Sequence, residues 1–232
     1  MLTKKMDPAN PKHIAIIMDG NRRWAQQHHL PTFFGHRRGV HAVTQAVQAA
    51  LRHKIPYLSF FAFSTENWKR SAAEINYLMG LFRRSIEHFR RWIQGYAIRI
   101  RFIGNRTVLN PTLQEKMQAL ENASASNDAL TVVIAINYGS RDELIRTIAS
   151  LTELEKEHIT WELLREKLDT RGLPDVDLVI RTSGEQRLSN FLLLQSAYAE
   201  IIFLQQGWPD FSSQDFEAAL LEYQHRQRNF GQ

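Results

Sequence analysis

Six short runs of strand-forming residues recur along this chain, separated by longer segments with helical periodicity. Short strands that alternate with helices predict an α/β fold, with a mainly parallel central sheet of about six strands flanked by helices. Two of the runs are apolar almost throughout, which is typical of strands that helices cover on both faces. The predicted strands are residues 14–18, 57–63, 98–103, 130–136, 176–180 and 200–204.

Helical periodicity fills the intervals between these runs. It is clearest over residues 39–53 and 73–94, and it also predicts helices at 111–122, 141–157, 160–168, 188–198 and 213–228. The apolar stripe of residues 73–94 has the i, i+3, i+4, i+7 spacing of a helix that faces a core. The alternative is that this helix forms one wall of an apolar tunnel.

The chain length favours one domain with a full core. The 232 residues contain no internal repeat and no linker rich in Pro, Gly or Ser. We therefore expect a single domain over residues 1–232, with residues 1–12 as a flexible N-terminal tail.

Polar clusters follow four of the predicted strands, at residues 19–23, 64–70, 137–141 and 181–187. In open α/β sheets, ligands bind outside the carboxyl ends of the strands. We therefore expect the four clusters to converge on one edge of the sheet. Arginine is frequent in them, and its guanidinium offers a bidentate fork to phosphate.

The first cluster combines one carboxylate, Asp19, with Arg22 and Arg23. One carboxylate suits Mg²⁺, which takes its other ligands from water and phosphate. The alternative for Asp19-Gly20-Asn21 is a simple turn, since Asp, Gly and Asn are all turn formers.

The other clusters also have two interpretations each. Ser64, Thr65, Asn67 and Arg70 offer donors to an anion, or they cap the next helix. Arg181, Arg187 and Ser189 either hold a second phosphate group or are ordinary residues of a loop before a helix.

The charge is distributed unevenly between the two halves of the chain. Residues 1–110 hold 18 Lys and Arg against 5 Asp and Glu, whereas residues 111–232 hold 11 against 19. A basic half indicates anionic partners, namely phosphates, nucleic acid or an anionic membrane surface. The arginines follow strand ends rather than one helix face, and no known nucleic-acid motif occurs, so we expect no nucleic acid.

Several classes of function lack their sequence signature. There is no cysteine, and neither G-x-x-x-x-G-K-[ST], G-x-G-x-x-G nor H-E-x-x-H occurs. No apolar run reaches the ~20 residues of a membrane span, and residues 1–12 do not have the pattern of a signal peptide. We therefore expect a cytoplasmic protein.

The clusters and their order resemble the cis-prenyltransferase family, most closely its bacterial undecaprenyl diphosphate synthases. The matching segments are residues 13–25, 35–36, 61–68, 70, 137–139, 177–182, 184–185, 187–193, 195, 197–200 and 208–211.

The resemblance implies a homodimer whose central sheet borders an apolar tunnel. It implies Mg²⁺-dependent condensation of isopentenyl diphosphate onto an allylic diphosphate such as farnesyl diphosphate, with Z double bonds. The product would be a long polyprenyl diphosphate such as undecaprenyl diphosphate, a lipid carrier for cell-wall glycans. A transient contact with the inner face of the membrane would release it. The alternatives are a synthase of shorter chains and a non-catalytic partner subunit.

The resemblance also implies roles for individual residues. Asp19 would be the catalytic acid that handles Mg²⁺, assisted by Glu200 as a second metal ligand. Asn67 stands where the family has its candidate base; because a neutral amide is a poor base, we expect it to orient groups while diphosphate takes the proton. The residues implied to hold the allylic diphosphate are Gly20, Asn21, Arg22, Arg23, His36 and Arg70. Those implied to line the substrate site are Trp24, Ser64, Thr65, Glu66 and Trp68. Those implied to hold isopentenyl diphosphate are Arg181, Arg187 and Ser189, and Leu188 is a further implied substrate-binding residue.

Three positions depart from the usual bacterial pattern. Thr32 stands in place of an Arg that helps to hold diphosphate, and Gln186 in place of a His that contributes to metal binding. Ser183 replaces a Gly. The lost guanidinium weakens the phosphate clamp unless Arg37 or Arg38 substitutes for it.

Overall fold

The computed structural model describes residues 10–226, except for the side chains of His88, Arg91 and Trp92. Within that part, six strands form one sheet in the order β3-β4-β2-β1-β5-β6, and every neighbouring pair is parallel. All six predicted strands are confirmed, and the mainly parallel sheet is wholly parallel. The strands are β1 (His13–Ile17), β2 (Tyr57–Ser64), β3 (Ile98–Ile103), β4 (Leu130–Tyr138), β5 (Leu178–Arg181) and β6 (Glu200–Phe203).

Eight α-helices flank this sheet within residues 10–226. The α-helices are α1 (Asn21–Gln27), α2 (Thr32–Arg52), α3 (Ala72–Tyr96), α4 (Pro111–Ala123), α5 (Ser140–Ala149), α6 (Glu153–Glu157), α7 (Trp161–Lys167) and α8 (Ser213–His225). Two 3₁₀ turns, Thr65–Lys69 and Trp208–Asp210, follow β2 and β6. The predicted helix 141–157 is two helices, because Thr152 forms a capping box with Glu155 and begins α6. None of the helices in residues 10–226 has the length and apolarity that crossing a membrane requires.

The predicted helix at 188–198 is wrong. Ser189, Asn190 and Leu192 have φ values of 49°, 65° and 45°, which is the left-handed region. A right-handed helix excludes these values, and each costs an L-residue roughly 1 kcal/mol or more. The apolar side chains that suggested a helix, Phe191 and Leu192, are instead buried from an irregular loop.

The N-terminal tail prediction is only partly addressed by the structure. Residues 1–9 lie outside the described residues. The amide of Lys12 donates to Asp177 at 2.8 Å, and Asn10 accepts from Gln224 at 2.7 Å. These bonds hold residues 10–12 against the body of the protein, so the prediction of flexibility does not apply to them.

Two apolar cores lie on the two faces of the sheet. The larger packs α2, α3, α4 and α8 against one face, around Phe60 and Trp208. The smaller packs the loop before β6 against the other face, where the Phe61 and Phe191 rings stack with centroids 4.4 Å apart. The larger core is incomplete at one place: between the sheet and helices α2 and α3 it leaves the cavity described below.

Candidate active site

An acidic and a basic side chain form an ion pair at the carboxyl ends of β1 and β5. Asp19 follows β1 and Arg181 ends β5, and the Arg181 Nη2 donates to Asp19 Oδ2 at 2.8 Å. The other carboxylate oxygen accepts from the amide of Gly20 at 2.7 Å. Asp19 keeps 31% of its side chain exposed, so the pair stands at the edge of open space.

Arg181 is a buried cation held in position from several sides. Its residue exposure is 3%, and its Nη1 donates to Ser189 Oγ at 2.7 Å and to the carbonyl of Arg187. The left-handed backbone at Ser189 turns this hydroxyl toward the guanidinium. The fold thus brings together Asp19, Arg181 and Ser189, although 170 positions of the sequence separate Asp19 from Ser189.

A more exposed layer of charge lies over this pair. Arg23 Nη2 contacts Glu185 at 3.1 Å and lies 3.7 Å from Asp19, while its Nη1 donates to the carbonyl of Ser183 at 3.1 Å. Arg187 also pairs with Glu185. Glu185 therefore holds two arginines at the rim, and an incoming anion would compete with it for both.

A polar recess of about 380 Å³ opens beside Asp19. Arg70 and His36 form its far wall, where Glu74 Oε1 accepts from Arg70 at 3.0 Å and lies 3.9 Å from His36 Nε2. Its lining is residues 18–23, Gln26, His36 and Arg70. The six residues predicted to hold the allylic diphosphate therefore converge on this recess.

His36 is a neutral imidazole in this recess. Burial, with a further contribution from the positive charges of Arg70 and Arg22, lowers its pKa from 6.5 to about 4 against the opposing effect of Glu74. Its Nε2 is buried without a hydrogen-bond partner among the described residues. The ring can thus donate to or accept from a ligand without adding a charge.

An apolar cavity of about 300 Å³ adjoins the recess. It lies between strands β2 and β4 and helices α2 and α3, and it shares Asp19, Asn21, His36 and Arg70 with the recess. A charged mouth therefore leads directly into an apolar interior.

Helix α3 has both of the roles considered for it. Leu78, Met79 and Phe82 line the cavity, whereas Ile86 and Ile93 are buried in the core. The cavity ends at Phe89, and a second void of about 10 Å³ lies on the far side of that ring.

Part of the cluster after β2 lines the apolar cavity and also caps the 3₁₀ turn that follows β2. Ser64, Asn67 and Arg70 line the apolar cavity, and Asn67 Oδ1 also accepts from the Ser64 amide at 3.1 Å in a capping box. Both interpretations of this cluster, capping and site lining, therefore describe the same residues.

Other predicted substrate residues do not line the cavity or the recess. Glu66 accepts from Asn190 at 3.0 Å, and this bond contributes to a lowered pKa of its carboxyl despite partial burial. Trp68 donates to Asn137 at 2.7 Å, and Thr65 lies beside Gly139. This group joins β2 to the loop before β6. It supports the site from outside.

Trp24 and Leu188 also lie outside the two spaces. The Trp24 ring stacks on His28 at 4.0 Å and lies under the guanidinium of Arg38. Leu188 packs on the smaller core.

Glu200, the implied second metal ligand, does not lie beside Asp19 within this chain. It begins β6 and pairs with Leu178, three residues before Arg181 on β5, which corresponds to about 10 Å along a strand. Its carboxylate forms an ion pair with Arg226 at 3.0 Å. Among the residues that the structure describes, no three His, Asp or Glu side chains are grouped as a metal cluster.

Asp19 alone fits an ion that takes its remaining ligands from a bound anion. It presents oxygen, the donor that Mg²⁺ prefers, in a recess lined with cations suited to phosphate. The partial exposure of its carboxylate leaves room for such an ion.

Two glycines set the position of this loop. Gly20 has φ 99°, and a Cβ there would lie 2.8 Å from the Cα of Gly207. Gly35 lets α2 approach α1 so closely that a Cβ would lie 2.0 Å from the carbonyl oxygen of Asn21. Side chains at either position would displace the Asp19 loop.

The three departures from the family pattern have different consequences. Neither Arg37 nor Arg38 replaces a guanidinium at Thr32: Arg38 binds Pro209 and Asp210, and Arg37 lies over the Phe34 ring. Ser183 adopts φ 78°, the conformation that a glycine would hold without strain. Gln186 is exposed.

Sequence reasoning missed one residue of the site, Glu74. Its carboxylate holds Arg70 and faces His36. The i, i+4 spacing from Arg70 was the available signal, but the apolar stripe of the helix dominated the pattern.

Three comparisons with known proteins agree with one another. The model of the family described as "Putative undecaprenyl diphosphate synthase" matches residues 17–231. The chain is 48% identical to the isoprenyl transferase of Agrobacterium fabrum, over 95% of this chain and 92% of the relative. It is 43% identical, over 98% of each chain, to the ditrans,polycis-undecaprenyl-diphosphate synthase ((2E,6E)-farnesyl-diphosphate specific) of Pasteurella multocida.

A solved structure has the same fold. The lavandulyl diphosphate synthase of Lavandula x intermedia, crystallised with dimethylallyl diphosphate, superposes with a TM-score of 0.92 at 30% identity. The superposition covers 96% of this chain and 99% of the plant enzyme.

Proposed function

The chain belongs to the undecaprenyl diphosphate synthase family of isoprenyl transferases, and on that basis we propose that it elongates farnesyl diphosphate with isopentenyl diphosphate to undecaprenyl diphosphate. The proposal rests on the boundary that the polar recess and the apolar cavity share. The polar recess and the apolar cavity meet at Asp19, as an amphiphile with a diphosphate head and a prenyl tail requires.

The recess holds the allylic diphosphate. Arg22, Arg23 and Arg70 supply cations, and the first residues of α1 line the same recess. When the allylic C–O bond breaks, negative charge gathers on the leaving diphosphate. Donors already fixed at that position stabilise the transition state without reorganising.

Isopentenyl diphosphate binds on the other side of Asp19. Arg181 and Ser189 line the cavity there, and Arg187 stands at the rim. With its diphosphate held by these groups, the double bond of isopentenyl diphosphate faces the allylic carbon. The new carbon–carbon bond forms there, and a proton then leaves the condensed product.

Mg²⁺ would be held by Asp19 and by substrate diphosphate. When bound, it neutralises charge on the diphosphate as a Lewis acid. The interaction of Asp19 with Arg181 at 2.8 Å fixes the carboxylate for that role.

Asn67 orients groups at the cavity mouth. Its Oδ1 is occupied by the Ser64 amide, so its side chain is held in one rotamer and presents its amide group to the site. Because an amide does not accept a proton at neutral pH, the departing proton goes to the nearby diphosphate.

One observation favours a second candidate, a synthase that takes a shorter primer and stops early. The plant structure with the TM-score of 0.92 binds dimethylallyl diphosphate, a five-carbon primer. The cavity also ends at Phe89. A non-catalytic role fits less well, because Asp19, Arg70 and Arg181 are all in place.

The protein acts as a homodimer, joined through α5–α7. This region exposes apolar side chains that include Ile145 at 68% and Leu154 at 70%. Exposed apolar clusters on a soluble domain mark association surfaces.

The test is an assay with purified protein, Mg²⁺, isopentenyl diphosphate and three primers of increasing length, with chromatography of the products. Farnesyl diphosphate should give products near C55. Products that end after one or two additions would favour the short-chain candidate, and no elongation from any primer would refute both.

A further inference from the structure

The main-chain carbonyl of Asp19 is held by two donors that lie outside β1. The Thr182 Oγ1 donates to it at 2.7 Å, and the amide of Trp208 donates to it at 2.8 Å. The pairing of β1 with β5 ends at Ile17 and Arg181, so these two bonds replace the strand ladder where the chain leaves the sheet. Asp19 is therefore held through its main chain as well as through its carboxylate.

The backbone around Asp19 needs such support. The Asp19 amide donates to the carbonyl of Ile17 at 3.0 Å, which bends the chain sharply out of the strand. The next residue, Gly20, has φ 99°, and a glycine leaves the chain more conformations than any other residue does. Contacts from outside the loop must therefore fix the direction of the peptide between Asp19 and Gly20.

This peptide connects the held carbonyl to the carboxylate of the same residue. Its C=O accepts from Thr182, and its N–H, which belongs to Gly20, donates to Asp19 Oδ1 at 2.7 Å. Because a peptide unit is planar, fixing the direction of the C=O also fixes the direction of the N–H. The Thr182 hydroxyl thereby orients the donor that holds one of the two carboxylate oxygens.

The residue before Thr182 holds the other oxygen. The Arg181 Nη2 donates to Asp19 Oδ2 at 2.8 Å. Thr182 itself is completely buried, and its Oγ1 lies 3.5 Å from the carbonyl of Ile17, so Asp19 provides the nearer acceptor. Two consecutive residues at the end of β5 therefore hold Asp19, one through its carboxylate and the other through its main chain.

We propose that Thr182 is a positioning residue for the condensation: through the peptide between Asp19 and Gly20, its hydroxyl keeps the Asp19 carboxylate directed at the reacting diphosphate. The inference rests on the proposed function, in which Asp19 acts at that group. Charges and dipoles that are fixed beforehand stabilise a transition state without reorganising, so a small displacement lowers the rate. Thr182 lines neither the recess nor the cavity, and it acts on the substrate through Asp19.

The first test compares two substitutions of Thr182 in the first condensation of farnesyl diphosphate with isopentenyl diphosphate. Thr182→Val keeps the shape of the side chain and removes the hydroxyl, whereas Thr182→Ser keeps the hydroxyl. The kcat should fall about 10-fold in the valine variant, as loss of one neutral hydrogen bond predicts, and should stay close to the wild-type value in the serine variant. The KM for isopentenyl diphosphate should be unchanged in both, because Arg181 and Ser189 are retained.

The second test observes the loop in the full chain without substrate. Hydrogen exchange of the Gly20 amide, followed by NMR, measures how often its bond to Asp19 Oδ1 opens. Exchange should be about 10-fold faster in Thr182→Val than in the wild type, and it should be unchanged in Thr182→Ser. Equal exchange in all three proteins would overturn the positioning role, and so would faster exchange with an unchanged kcat.

Ser124→Ala is the matched control for the loss of a buried hydroxyl. Ser124 lies just after α4, where its Oγ donates to the carbonyl of Leu120 at 2.8 Å and accepts from the amide of Ile100 at 3.0 Å. The variant should melt at a lower temperature, because a buried amide loses its partner, but kcat and Gly20 exchange should match the wild type. Equal losses of kcat in Ser124→Ala and Thr182→Val would trace both to stability and overturn the proposal.

The wild-type enzyme separates this inference from the proposed function. If the wild type condenses the two substrates and Thr182→Val does so at the same rate, the positioning role alone is overturned. A wild type that condenses nothing would refute the proposed function and the positioning role together.

Discussion

Asp19 and Arg181 contact each other at 2.8 Å across neighbouring parallel strands, one partly open to solvent and the other buried. The pairing gives each group a defined orientation before any substrate binds. It also means that an incoming diphosphate meets a carboxylate and a guanidinium that are already paired, so neither charge is isolated before substrate binds.

Replacement of Asp19 by Ala should reduce condensation by more than about 1,000-fold, as loss of charge stabilisation at a reacting diphosphate does. Thermal unfolding should still be cooperative, because the apolar core does not include this side chain. Product formation and a melting curve give the two readouts. Asp210→Ala, which removes an exposed carboxylate paired with Arg38, is the control and should keep full activity. A fully active Asp19→Ala enzyme would contradict the site.

Substrate-free protein should lose stability on acidification through His36. Its folded pKa, about 4, lies below the unfolded value of 6.5, so between these values the unfolded chain binds a proton that the folded protein does not. Stability therefore falls as pH drops from 6.5 to 4. His36→Gln should remove this contribution, which reaches about 3 kcal/mol at the lower end. Urea unfolding of both proteins across this range measures it, and the exposed His41→Gln should leave the slope unchanged.

Ser183→Gly should stabilise the protein by about 1 kcal/mol. At φ 78°, Ser183 occupies the left-handed region, which costs an L-residue about 1–2 kcal/mol. Glycine removes this cost, but it also makes the unfolded chain more flexible, which offsets part of the gain in stability. Ser183→Ala keeps the Cβ and should show no such gain, although it also removes the hydroxyl. Equal melting temperatures for the Gly and Ala variants would mean that the backbone at this position is unstrained.

Phe89 sets the depth of the cavity, and shortening it should lengthen the products. The ring, together with Ile134, lines both the cavity and the second void, so Phe89→Leu should join the two spaces and extend the cavity along α3. Phe89→Ala would open more space but costs about 3–5 kcal/mol in a packed core, which makes Leu the safer variant. Chromatography of the products checks this. Phe216→Leu, a buried position on α8 away from the cavity, should leave product length unchanged.

The strands were predictable because burial on both faces leaves near-continuous apolar runs, as at β2 and β4. Their carboxyl ends then identified one edge of the sheet, which is where Asp19, Arg70 and Arg181 lie. The order of strands and helices therefore predicts the position of the site without any side-chain geometry.

The parts that escaped prediction depend on backbone conformation and strand direction. The apolar pattern of 188–198 fits a helix, and only the left-handed φ values at Ser189, Asn190 and Leu192 exclude one. Glu200 was assigned from resemblance, which gives a role but not the end of the strand on which a residue lies. Glu74 was hidden within an amphipathic helix, where a single carboxylate ordinarily faces solvent.

The close approach at Gly20 and Gly35 has a consequence for engineering. Because the smallest possible side chain would already collide with main-chain atoms there, these two positions tolerate no substitution without displacing the Asp19 loop. The cavity wall on α3 is more permissive, since Leu78, Met79 and Phe82 meet open space on one side. A library meant to alter primer choice should therefore diversify α3 and leave the two glycines untouched, because variants there would be lost to misassembly before selection could act.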